Sequence, residues 1–161
     1  MCVFLFKKMM KFVIIYYIER SVIMSGWNKN IKPEYSDHIR VNRGLYYHHG
    51  IYLSDDCVVQ FGGTGNDNVL DPANARIIVV TLDDFLRGGM LEIREYDDEE
   101  KAIKRKPQDI ANYALSQIGR GGYDLINNNC EHFANECVFG KKMSEQVNNV
   151  QDILSKIFGG R

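Results

Sequence analysis

Two kinds of side chain in this 161-residue sequence can together carry covalent acyl chemistry. A thiol attacks carbonyl carbon as its thiolate, and an imidazole takes and returns a proton near neutrality. The chain has four cysteines and four histidines. Among the thiols, Cys130 has the most suggestive context. It follows Asn127-Asn128-Asn129 and opens the run Cys130 to Gly140, which has cap residues before it, an acid in its first turn and a terminal glycine. Those are the marks of a helix. A cysteine in a first helical turn meets unpaired backbone N–H groups and the positive end of the macrodipole, so its pKa is expected to fall. Cys57, expected mid-strand among valines, and Cys137, inside the helix, read as small buried hydrophobes, and Cys2 has no informative surroundings.

The base is harder to choose. His132 lies two residues from Cys130 on the same helix, about 200° around its axis, and is expected to be structural. His38 belongs to an earlier strand. His48 and His49 are neighbours on a strand whose successive side chains face opposite ways, so only one can meet Cys130. Alternation alone does not say which.

The elements that would position these groups follow from pattern. Asp37 to Val41 alternates as a half-buried strand, and Asn42-Arg43-Gly44 supplies a turn. Leu45–Leu53 and Cys57–Phe61, joined by Ser54-Asp55-Asp56, read as a β-hairpin. Ile77–Val80 suits a buried strand, Asp83 to Gly89 a helical turn closed by glycine, and Leu91–Glu95 a further strand. Past the charged stretch Asp97 to Lys106, Pro107 opens a helix whose stripe Ile110, Ala114, Ile118 runs to Gly119 and packs on the sheet. Val147, Val150, Leu154 and Ile157 place an apolar stripe on a last helix from about residue 143, expected to be a packing face.

Composition narrows the setting. Twenty basic against twenty-one acidic residues leave a formal charge of −1, so no overall field draws the chain to nucleic acid. With 45% hydrophobic and 25% charged residues it has the make-up of one folded domain, expected over 24–161. Four irregularly spaced cysteines point to a reducing, cytoplasmic setting, and a zinc site from Cys130, His132 and Cys137 would have unusual spacing, so no cofactor is expected. Residues 1–23 are apolar and basic, with a longest charge-free stretch after Lys11 of seven residues, Phe12–Ile18, too short to span a bilayer. They read as an extension upstream of a native start at Met24, or else as a basic, apolar anchor touching a membrane surface.

Tyr47-His48-His49-Gly50-Ile51-Tyr52-Leu53, followed by Asn128-Asn129-Cys130-Glu131-His132-Phe133, resembles the lecithin retinol acyltransferase domain family, a circularly permuted relative of NlpC/P60 and papain-like cysteine enzymes. The similarity runs from about Pro33 to about Val147 and takes in Leu82 to Gly89 and Ser144 to Val147. It implies an α+β fold, a small antiparallel sheet flanked by helices, with the Cys130 helix packed on the strands bearing His48 and Gln60. It also implies that Cys130 is the nucleophile and His48 the base, with His49 facing away. The family usually has a second histidine where this chain has Gln60. A neutral amide there can hold the imidazole as in papain-like enzymes, although it cannot relay a proton. Tyr52 and the backbone N–H groups around Cys130 are candidates to bind the substrate oxyanion, and Asn128 and Asn129 to cap the helix. The implied substrate is a lipid acyl ester, with contact at a membrane surface. A peptidase or amidase of the NlpC/P60 type is the alternative, and a non-catalytic binding module a further one that the change at Gln60 would suit.

Overall fold

The computed structural model describes residues 26–63, 72–124, 126 and 128–140. The expected N-terminal extension and C-terminal helix, and most of the loop after Gly62, lie outside these residues. The described part is α+β, a six-stranded antiparallel sheet with four helices. In chain order the elements are β1 (Gly26–Asn28), β2 (Asp37–Asn42), β3 (Tyr47–Ser54), β4 (Cys57–Gly62), β5 (Arg76–Val80), α1 (Leu82–Leu86), β6 (Leu91–Glu95), α2 (Asp98–Ile103), α3 (Pro107–Ser116) and α4 (Cys130–Phe139). Across the sheet the order is β1-β6-β2-β3-β4-β5.

Alternation sorts the strands into two buried faces. Ile51, Val59, Phe61 and Ile77 form one cluster with Ile110 and Ala114 of α3 and with Phe133, Ala134, Cys137 and Val138 of α4. Ile39, Val41, Val58 and Ile93 form the other, with Phe85 of α1. Each large apolar side chain removed from water this way is worth about 1.5–3 kcal/mol. β3 lies between β2 and β4, with His48 opposite Val41 and Gly50 opposite Gln60.

Several expectations need correction. Ile77–Val80 is a sheet edge rather than a buried strand, with Ile77 buried and Val79 41% exposed, because among the described residues β5 has β4 as its one neighbouring strand. Leu45 lies in the turn before β3, fully exposed. Cys57 opens β4, half-buried, rather than sitting mid-strand. α1 is closed by Arg87 in the left-handed region (φ 49°), with the glycines following it. The charged stretch contains α2, which buries nothing and is set by a capping box in which Asp97 and Glu100 satisfy each other's backbone N–H groups. α3 stops at Ser116, leaving Ile118 48% exposed past its end, and β1 had no sequence signal.

Candidate active site

α4 begins where its caps require. The Asn129 side chain accepts from the His132 backbone N–H (3.0 Å), and the Asn129 N–H donates back to His132 Nδ1 (3.4 Å). This capping box gives His132 a structural task and leaves Cys130 as the first helical residue. Gly140, at φ 72°, closes the other end.

Cys130 is 2% exposed. Its Sγ lies 3.8 Å from the Tyr47 carbonyl oxygen, and the His49 backbone N–H also points to the sulfur. The thiol therefore rests against the β3 backbone on either side of the His48 residue. Burial pushes its pKa up to about 11, the His49 N–H and those of the first helical turn pulling down less strongly while the Glu131 carboxylate adds to the rise. The expected lowering does not occur, because loss of water outweighs the helix terminus.

His48 and Gln60 come together across the β3–β4 pair. His48 Nε2 is 2.7 Å from Gln60 Oε1, and both residues are buried. With the amide carbonyl accepting, Nε2 carries the proton and Nδ1 the lone pair. Behind the ring stands Phe85, 5.3 Å between centroids. Gly50 permits that approach, since a Cβ there would fall 2.9 Å from a Phe85 ring carbon and 3.1 Å from Val58.

His49 projects to the opposite face of β3 from His48, the face that Ile51 shares with α4. Its Nδ1 lies 2.9 Å from His38 Nε2, and the edge of Trp27 packs against both rings. Desolvation lowers both histidines, His38 to about 3, with the nearby arginines adding to the effect; for His49 the His38 ring adds most after burial. Beside the pair, the Arg40 guanidinium lies 3.9 Å from the Trp27 ring centre and 3.8 Å from that of Tyr47, and its Nη2 reaches Glu92 at 2.7 Å. Arg40 thus braces the residue whose carbonyl meets the thiol.

Tyr52 is not brought to the thiol, its hydroxyl donating to Asp55 at the β3–β4 hairpin (2.8 Å). Tyr123, which sequence reasoning missed, is. Burial and then the neighbouring Cys130 thiol drive its phenol pKa upward, and the hydroxyl also meets the Cys130 backbone N–H. Reciprocal backbone bonds between Asp124 and Asn128, 3.0 Å each, hold Tyr123 close to the helix start. No spacing rule signals a contact made through such a bridge. Among the described residues, no group of three or more His, Cys, Asp or Glu is arranged to hold a metal ion, and no helix is long and apolar enough to cross a membrane.

The fold is thus an α+β sheet against which a helix that starts with cysteine meets a histidine-bearing strand. The chain belongs to the lecithin retinol acyltransferase family, whose model matches residues 31–143. It is 28% identical to lecithin retinol acyltransferase of Mus musculus, over 85% of this chain and 70% of that protein. It is also 30% identical to phospholipase A and acyltransferase 5 of Rattus norvegicus, over 83% of this chain but 48% of that protein. The human phospholipase A and acyltransferase 3 is 28% identical, over 74% of this chain and 78% of its own length.

Proposed function

We propose that this protein is a thiol-dependent phospholipid acyl hydrolase or acyltransferase in which Cys130 is the nucleophile, His48 the base and Gln60 the residue that orients it. The observation that carries this reading is the 2.7 Å His48–Gln60 contact on the strand whose backbone touches the Cys130 sulfur. The names of the relatives supply the substrate class.

With Nε2–H held by Gln60, His48 Nδ1 takes the thiol proton as sulfur attacks the ester carbonyl. The S–C bond forms and the oxyanion collects charge, facing the Tyr123 hydroxyl as donor, itself polarised by the Cys130 backbone N–H from which it accepts. Collapse breaks the C–O bond, and the departing alcohol, a lysophospholipid, takes the proton back from His48. Water or an acceptor hydroxyl or amine then attacks the thioester, His48 again taking its proton and returning it to sulfur. A thiol with a pKa near 11 is not ionised at rest, so its proton must leave with the attack rather than before it.

Intact-mass spectrometry after incubation with phosphatidylcholine vesicles tests the reading. An acyl-sized adduct on the wild type, absent from Cys130→Ala and His48→Ala, is the expected result. Selective, His48-dependent alkylation of Cys130 with no lipid adduct would keep the thiol and base but overturn the lipid substrate.

A further inference from the structure

The two ends of the sheet differ in surface chemistry. At one end stand the β3–β4 hairpin and the start of α1, joined by the Leu82 N–H donating to the Asp55 carbonyl (2.7 Å). Asp55, Asp56, Asp83 and Asp84 are all exposed there. At the other end, the β2–β3 turn and the segment after α1 are tied together by Arg43, whose guanidinium donates to the carbonyls of Leu86 (3.0 Å) and Phe85 (2.6 Å). These two segments are apolar and cationic. Leu45 is fully exposed and Met90 63% exposed, and Arg87 is exposed beside them. From Val41 to Gly50 and from Phe85 to Leu91 the sequence has no carboxylate, and its formal charges are Arg43 and Arg87.

We propose that this end, built from the β2–β3 turn and the α1–β6 connection, is a docking rim for an anionic phospholipid bilayer. Leu45 and Met90 enter the interface while Arg87 faces the headgroups. Charge complementarity selects the occupant, since two segments of apolar side chains and arginine, neither with a carboxylate, suit an anionic lipid interface. The four aspartates at the opposite end would repel the same surface, so of these two ends the rim is the one that faces the bilayer. The rim is also continuous with the site, because Leu45 precedes Tyr47 by two residues and the Tyr47 carbonyl meets Cys130 Sγ. Docked this way, the start of β3 and the thiol would face the lipid from which an acyl chain must be drawn.

The inference rests on the lipid reading above, and its test separates the two. The full chain and the variants Leu45→Asp/Met90→Asp and Arg87→Glu are sedimented with phosphatidylcholine vesicles, with and without phosphatidylserine. Turnover of a dispersed short-chain ester is measured alongside. Expected are binding that increases with phosphatidylserine, a loss of about tenfold or more in the double aspartate variant, and a smaller loss confined to anionic vesicles in Arg87→Glu. Short-chain turnover should stay unchanged in every variant. Equal binding by wild type and the double variant, or no vesicle binding at all, would overturn the docking rim. If a dispersed short-chain phospholipid still acylates Cys130, the lipid reading survives that failure; rim-dependent binding with no acylation by any phospholipid would overturn the lipid reading instead. Leu45→Trp checks for a competing occupant: emission characteristic of water that shifts blue on adding vesicles supports the rim. Emission already blue in buffer means that another part of the chain or a second copy covers Leu45, and overturns it.

Discussion

His48 and His49 are consecutive residues on one strand, yet the sheet assigns them to different surroundings. His48 meets a neutral amide that fixes which nitrogen holds the proton, on the face closed by Phe85. His49 meets another histidine and the edge of an indole, and burial holds that pair uncharged. Residue type is the same in both positions, so the partner across the strand pair decides whether an imidazole can act as an oriented base or only as core. A hydrogen bond that fixes one nitrogen prepares the other for proton transfer, whereas a fully buried imidazole pair cannot accept charge without the cost of desolvation.

Breaking each member of the comparison should have opposite signatures. Replacing His48 by alanine should lower turnover about 10²- to 10⁴-fold, the range for loss of a positioned base, while the unfolding midpoint moves little by comparison. Acyl-enzyme formation by mass spectrometry, beside thermal unfolding, reads both. His49→Ala should do the reverse, removing a fully buried ring at a cost of about 2 kcal/mol or more in stability while the folded fraction turns over nearly as before. Denaturant titration followed by rates normalised to folded protein will distinguish them. If His49→Ala abolishes turnover in fully folded protein, the assignment of the two histidines must be exchanged.

Acid sharpens the contrast. The His38–His49 pair is uncharged when folded, with His38 lowered to about 3, whereas an unfolded histidine titrates near 6.5. The unfolded chain therefore binds more protons, so stability should fall as pH drops below about 6.5 and continue to fall toward 3, by up to about 1.4 kcal/mol per pH unit for each histidine. Denaturant unfolding between pH 7 and 4 measures the slope, and His49→Phe should make it shallower; an unchanged slope would mean that the pair does not titrate as described. The smallest effect is expected at Gln60. Gln60→Ala should reduce turnover about tenfold, the worth of one orienting hydrogen bond, whereas Gln60→His should recover most of that loss and add a second ionisation to the pH–rate profile.

Much of this arrangement is legible in the sequence, and what is not has identifiable causes. The hairpin carrying His48 and Gln60 follows from alternation and a turn, and the Cys130 helix from asparagines ahead of it and a glycine behind. Both signals are local. The thiol's state is not local: the same helix terminus that should lower its pKa is buried by β3, and burial is a property of the assembled sheet. β1 has three residues and no periodicity to detect, yet it brings Trp27 onto the two histidines. α2 lacks an apolar stripe because it buries nothing, so its acids read as a solvated run. Tyr123 reaches the sulfur through backbone bonds that spacing does not encode.

The burial of Cys130 bears on how the protein withstands oxidants. Peroxide attacks thiolates that water can reach, and a thiol 2% exposed with a pKa near 11 is neither ionised nor accessible at rest. Sulfenic acid should therefore form slowly on it, and the site should remain in its reduced form under oxidising stress that would disable a more acidic, open cysteine.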